Sequence, residues 1–331
     1  MAAQKSAVKG TVQCDVKLDG KTVIVTGANN GVGFETAKDL AGRGARVIMA
    51  CRNMEKAEEA KQKILEEVKG ADLVLKKLDL ASLESVREFA QDINENESRL
   101  DILINNAGIM ACPQWKTKEG FEMQLGTNHI GHFLLTKLLL DLIKKSAPSR
   151  IVIVSSLAYK WGSMSWDNMM HEKDYDPSRV YCASKLANVL HCRELTRRLE
   201  GTGVTCNSLH PGAVNTGLQS HVNESSHLPF FQRMISKVMM PIGQRFFFIT
   251  PKQGAQTSIY CAIAPELDGV SGKYFNKCAE ERLQAHALRD EDAKKLWEMS
   301  EEWIKEKPAE QFEKETPKEE TPKEETTQQE S

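Results

Sequence analysis

Short apolar runs alternate with amphipathic stretches along most of this chain. Thr22-Val-Ile-Val-Thr26 is apolar throughout its centre, and similar runs occupy 45–50, 73–75, 102–104, 150–155 and 204–210, with a shorter seventh at 272–275. Runs this short, rich in β-branched residues, predict strands, and the 3.6-residue periodicity at 54–68 and 83–93 predicts helices between them. Strands that are continuously apolar are buried on both faces. The alternation therefore predicts an α/β fold, a doubly wound parallel seven-stranded sheet with helices on both sides and right-handed crossovers.

A chain of 331 residues, 40% of them hydrophobic, suffices for one large domain with its own core. We assign that single domain to 18–305, with an N-terminal extension at 1–17 and a tail at 306–331. The tail repeats Thr316-Pro-Lys-Glu-Glu320 as Thr321-Pro-Lys-Glu-Glu325. It has too few apolar side chains to offset its ordering entropy and is read as disordered.

A net charge of -2 gives no reason to expect nucleic acid as a partner. The eight cysteines form no C-x-x-C pair and no zinc spacing, which predicts free thiols, no metal site and a reducing, cytoplasmic setting. The first 21 residues carry no apolar signal core, and no run is long enough to span a bilayer. The apolar segment 228–249 is interrupted by Gln232, Arg233, Lys237, Pro241 and Arg245, so it suits a peripheral membrane contact or a cover over a greasy ligand, not a span.

Candidate chemistry begins where the first strand ends. Thr26-Gly27-Ala-Asn29-Asn-Gly31-Val32-Gly33 leads straight into a helical pattern. Glycines there let the backbone turn sharply beside a phosphate, and the helix turns its free N–H groups and positive dipole end toward the anion. The second strand ends in Cys51-Arg52 rather than an acid. A guanidinium suits a ribose 2′-phosphate, which predicts NADP(H) in preference to NAD(H). Asp79 and Leu80 follow the third strand, where an adenine could rest. Asn105-Asn106-Ala107-Gly108 follows the fourth, where small residues leave room for a nucleotide.

Tyr181 and Lys185 lie one helical turn apart in Val180–Asn188. A nearby ammonium favours a phenolate, so Tyr181 could exchange a proton with an alcohol/carbonyl pair. The pair alone also fits a solvated lysine beside a half-buried tyrosine.

Taken together and in order, TGANNGVG at 26–33, NNAG at 105–108, Asn128 within GTNHIGH at 126–132, Ser155-Ser156, Tyr181-x-x-x-Lys185 and His210-Pro211-Gly212 resemble the short-chain dehydrogenase/reductase family. The resemblance covers about 18–303 and implies a Rossmann fold. ACRN, NHIGHF and YCASKLAN resemble its retinol dehydrogenase branch, which implies NADP(H)-linked interconversion of retinal and retinol or of other lipophilic aldehydes, ketones and alcohols. The resemblance makes Tyr181 the acid/base, Lys185 its tuning cation and ribose ligand, Ser156 the partner of the substrate oxygen, and Asn128 the holder of a relay water. It also implies that Gly27, Asn29, Gly31, Val32, Gly33, Arg52, Asp79, Leu80, Asn106, Ala107, Gly108, Tyr181, Lys185, Pro211, Gly212, Val214 and Thr216 touch the dinucleotide.

The wide gap between Ser156 and Tyr181 matches an insert at 160–178 seen in that branch. Phe34 stands where the family often has a basic residue, so the phosphate preference rests on Arg52. Met and Phe in 228–248, and Trp115, Trp161 and Trp166, are candidates for the substrate mouth or for plain packing. Helices near 120–145 and 176–199 could form a homodimer contact. A steroid or xenobiotic carbonyl reductase, and a non-catalytic NADP(H)-binding scaffold that uses its acidic tail to bind partners, stay open as alternatives.

Overall fold

A computed structural model of the chain describes residues 10–12, 14–214 and 249–305. The segment 228–248, Thr216 and the tail at 306–331 lie outside the described residues, as does most of the N-terminal extension. Strand β1 (Thr22–Thr26) leads to helix α1 (Gly31–Gly42), β2 (Arg46–Cys51), α2 (Met54–Glu67), β3 (Leu73–Lys77), α3 (Leu83–Asn96) and β4 (Ile102–Asn105). A helical arm follows: α4 (Met123–Leu125), a π-helical turn (Gly126–Ile130) and α5 (Gly131–Lys145). The chain then forms β5 (Ser149–Val154), α6 (Pro177–Arg198), β6 (Val204–His210), α7 (Pro251–Ile263), β7 (Tyr274–Asn276), β8 (Ala279–Glu280) and α8 (Asp290–Trp303).

The sheet order is β3-β2-β1-β4-β5-β6-β7-β8. All seven expected strands are present and pair in parallel. Among the described residues the sheet nevertheless has eight strands rather than seven, because β8 pairs antiparallel with β7. The hairpin is closed by Lys277 and Cys278, both at positive φ (50° and 57°). That turn conformation usually calls for Gly or Asn, so neither residue announces a turn in the sequence.

Burial explains the continuous apolar strands. Val23, Val25, Val47, Met49, Ile102 and Ile104 face one core layer, packed with α1, α2 and α7 residues such as Leu40, Ile64 and Ile259. Ile24, Ile48, Leu103, Ile151 and Ile153 face the other, with Phe89, Phe133, Leu139, Leu190 and Leu296. Alternate residues of one strand thus feed opposite layers.

Helix starts are specified locally. Asn53 accepts from Lys56 N at 2.8 Å at the start of α2, and Asp176 accepts from Ser178 N (2.8 Å) and Arg179 N (3.0 Å), with Pro177 next, at the start of α6. Helix α8 lies across α5, α6 and the π turn. Trp297 packs on Phe133 at 4.8 Å, Arg198 stacks on Trp297 at 4.3 Å, and Ser300 Oγ meets His129 Nε2 at 2.8 Å. No helix among the described residues is long and apolar enough to cross a membrane.

Candidate active site

The strand order reverses between β1 and β4, so the chain leaving their C-terminal ends diverges and opens a crevice. A cavity of about 520 Å³ fills it. It is lined by Gly27, Asn29, Gly31, Val32, Gly33, Arg52, Asp79, Leu80, Asn106, Ala107, Gly108, Ser156, Tyr181, Lys185, Pro211, Gly212 and Val214. Residues scattered over nearly two hundred positions are brought to one edge of the sheet. Of the expected site residues, only Asn128 is set back, behind Gly108; Thr216 lies outside the described residues. A roomier surface groove, about 880 Å³ among Leu18, Pro148, Leu199 and Pro265, contains none of them.

The crevice fits a dinucleotide phosphate. Gly27 and Gly31 take positive φ (66° and 56°), which brings the turn back over the start of α1. A Cβ on Gly33 would overlap the Gly27 carbonyl and stand 2.5 Å from Asn106 Nδ2, so helix and turn touch without room for any side chain. The N-cap of α1, Asn30, makes no side-chain bond to the first amides, whereas Asn53, Ser82 and Asp176 do so on their helices. The amide end of α1 is thus left facing the cavity.

Thr26 organises the same turn. Its Oγ1 accepts from Asn106 N and Ala107 N, each at 2.9 Å, and Asn106 Nδ2 donates to Thr26 O at 2.8 Å. Arg52, just after β2, and Lys56, in the first turn of α2, both line the cavity. Neither Thr26 nor Lys56 was among the sequence candidates. Lys56 carried a weak signal, as a second cation four residues after Arg52 on a helical pattern.

On the opposite wall, α6 presents Tyr181 and Lys185 one turn apart. Ser155 Oγ donates to the Lys185 carbonyl at 2.7 Å and locks α6 to the end of β5. Lys185 is 4% exposed and has no carboxylate partner among the described residues; its Nζ donates to Val154 O at 3.3 Å. Burial pulls this ammonium down to about 8. Burial also pushes the Tyr181 hydroxyl up to about 12, opposed by its hydrogen bond with Ser156. Burial therefore sets the direction of the Tyr181 shift, with the Ser156 hydrogen bond opposing it.

Ser156 Oγ accepts from Ala158 N at 3.2 Å, and His210 Nδ1 accepts from Leu157 N at 3.3 Å, tying the Ser156 loop to β6. Asn128, in the π turn, accepts from Ile109 N (2.8 Å) and donates through Nδ2 to Ile109 O (3.0 Å) and Ser184 Oγ (2.9 Å). A Cβ on Gly108 would lie 3.1 Å from Asn128 Oδ1 and 3.4 Å from Lys185 Nζ, so both groups close on the same glycine.

The three tryptophans do not line this cavity. Trp115 and Trp161 are exposed, and Trp166 packs beside the core under Lys295, whose Nζ is 4.7 Å from its ring centre. All eight cysteines are free.

An α/β sheet with a tight glycine turn at the amide end of a helix, and Tyr, Lys and Ser on the facing wall, describes a nucleotide-linked oxidoreductase. Residues 21–227 match the short chain dehydrogenase family model, and the chain belongs to that family, whose members use NAD(P)(H). It is 51% identical to human retinol dehydrogenase 14 over 297 residues, covering 86% of each chain. It is 46% identical to human retinol dehydrogenase 11 over 297 residues, covering 90% of each. Among solved structures it resembles an uncharacterised Mycobacterium paratuberculosis protein (32% identity, TM-score 0.68, 87% of this chain and 95% of that one). It also resembles a Beutenbergia cavernae protein described as an NAD(P)-dependent gluconate 5-dehydrogenase with bound NADP (25% identity, TM-score 0.62, 79% of this chain and 96% of that one). The chain is an oxidoreductase related to the retinol dehydrogenases.

Proposed function

We propose that this protein interconverts retinal, or a similarly lipophilic aldehyde or ketone, with its alcohol, using NADP(H) in preference to NAD(H). The observation that carries the reading is the convergence of Tyr181, Ser156 and Lys185 on one wall of a nucleotide-sized cavity with Arg52 and Lys56 at its other end. The retinol dehydrogenases it is similar to supply the substrate class, and the relative described with bound NADP supports the cofactor.

In this reading Gly27, Gly31, Gly33 and the first amides of α1 hold the pyrophosphate, and Arg52 and Lys56 the 2′-phosphate. The bound dinucleotide supplies the hydride. Tyr181 gives its proton to the developing alkoxide, with Ser156 donating to the same oxygen. A tyrosine that stays protonated in the free protein is the form that carbonyl reduction consumes. Lys185, as a buried cation, binds the ribose hydroxyls and stabilises the phenolate left behind.

The test is oxidation of NADPH and NADH by the purified full chain with all-trans-retinal, a medium-chain aldehyde and a steroid ketone. The expected result is NADPH-linked turnover of retinal that depends on Tyr181. Preference for another carbonyl would keep the mechanism and change the substrate. Tight NADPH binding with no turnover of any of them would overturn the enzymatic reading in favour of a nucleotide-binding scaffold.

A further inference from the structure

His132 stands outside the cavity and is used by none of the roles above, yet it joins the two halves of the site. It is 2% exposed, one turn beyond Asn128. Its Nδ1 lies 3.1 Å from the Asn128 carbonyl oxygen, and its Nε2 lies 2.9 Å from Thr26 Oγ1. A carbonyl only accepts, so Nδ1 carries the proton. Nε2 of the neutral ring then accepts, and the Thr26 hydroxyl donates to it. The other acceptor within reach of that hydroxyl, Ile104 O, is farther away at 3.4 Å. The arrangement closes because Thr26 Oγ1 is itself the acceptor for Asn106 N and Ala107 N. The groups around the ring, Lys185 on α6 with His129 and His191, offer no anion to hold an imidazolium.

We propose that His132, as the neutral Nδ1–H tautomer, is a positioning residue that couples the nucleotide-binding turn to Asn128. It holds the Asn128 carbonyl by one nitrogen and, through Thr26, the Asn106–Ala107 backbone by the other. Displacement of the dinucleotide loop and of the proton-supplying turn beside Lys185 is thereby resisted by one rigid ring. The inference rests on the proposed catalytic reading for its kinetic consequence, but not for its structural one.

Two variants separate positioning from simple packing. His132→Phe keeps the ring's bulk and removes both bonds. His132→Gln keeps one N–H donor and one acceptor. In hydrogen exchange of the full chain without ligand, His132→Phe should speed exchange of the amides of Asn106, Ala107 and Ile109 by about tenfold or more, the cost of freeing one net hydrogen bond. His132→Gln should restore most of that protection, and the β5 and β6 amides should be unchanged in both. In ¹⁵N-histidine spectra at neutral pH the signal lost in both variants should show a protonated Nδ1 and a bare Nε2. With NADPH and the active carbonyl substrate, His132→Phe should lower kcat on the order of tenfold and raise the solvent deuterium isotope effect, with the KM for NADPH nearly unchanged. His132→Gln should recover most of the loss.

The opposite tautomer, or unchanged exchange at those three amides in His132→Phe, overturns the proposal. So does equal loss in both variants accompanied by a general loss of protection, which marks packing alone. If the wild type shows no Tyr181-dependent turnover, the catalytic reading fails while exchange and spectra still decide the coupling.

Discussion

The Lys185 ammonium lies 5.7 Å from the centre of the Tyr181 ring, and burial drives the two groups toward their neutral forms: the lysine down to about 8, the tyrosine up to about 12. Near neutral pH the tyrosine keeps its proton and the lysine keeps most of its charge. In the proposed mechanism the pair therefore rests with a proton to give, and phenolate formation waits for charge to develop at the substrate.

The first prediction concerns that proton. Tyr181→Phe should lower turnover by a factor of about 10³, within the range of general acid catalysis. Because the ring remains, NADPH affinity measured by fluorescence titration should stay within a small factor of wild type. A mutant as active as the wild type would remove Tyr181 from the mechanism.

Lys185 is kept at a cost to folding. A depressed lysine is penalised when charged, so the penalty is full below about pH 8, shrinks as pH rises, and is gone above the ordinary lysine value of 10.5. At ~1.4 kcal/mol per pKa unit, the penalty is on the order of 3 kcal/mol. Lys185→Met should therefore raise Tm by a few degrees near neutral pH, lose that advantage near pH 10.5, and abolish turnover. A lower Tm at neutral pH would show that the bond to Val154 O matters more than the desolvation.

Among the described residues, burial favours the neutral form of four buried histidines. Burial lowers His132 to about 4, His210 to about 4, His191 to about 3, and His129 well below the ordinary value. Below pH 6.5 the unfolded chain takes up protons that the folded chain refuses, so stability falls as pH falls. Each group contributes about 1.4 kcal/mol per pH unit until its folded pKa is reached. The four together predict a steep loss of Tm between pH 6.5 and 4, followed by thermal melts in a pH series. A flat profile there would mean that the rings are charged or hydrated in the fold.

Arg52→Asp removes a guanidinium and places a carboxylate where the 2′-phosphate is proposed to bind. The NADPH-to-NADH ratio of kcat/KM should fall on the order of tenfold to a hundredfold, the worth of one charge-assisted hydrogen bond. Lys56→Ala should move the ratio less, in the same direction. An unchanged ratio in the Arg52 variant would refute the phosphate role.

Much of this protein was legible without coordinates because local rules agree with the fold. The continuous apolar run at Thr22–Thr26 reads as a strand buried on both faces, and the β-rich run at Val204–His210 reads as another strand. Gly27, Gly31 and Gly33 between a strand and a helix announce a close backbone approach. The alternation of such runs with helical stretches at 54–68 and 83–93 announces helices between parallel strands. Other features gave no such signal. Strand β8 turns on Lys277 and Cys278, residues that rarely take positive φ and do so here because β7 and the chain after it hold them there. The Thr26–His132 contact spans 106 positions, and nothing in either neighbourhood calls for the other.

The sequence by itself determined the seven parallel strands, the double-layered core and most of the residues at the sheet's C-terminal edge, since periodicity and glycine turns act over a few residues. Only the tertiary structure decided how those residues are charged and coupled. Desolvation and hydrogen bonding at Tyr181, Lys185 and His132 depend on the atoms that surround each group from several elements at once, and that enclosure exists only after the helices have closed over the sheet.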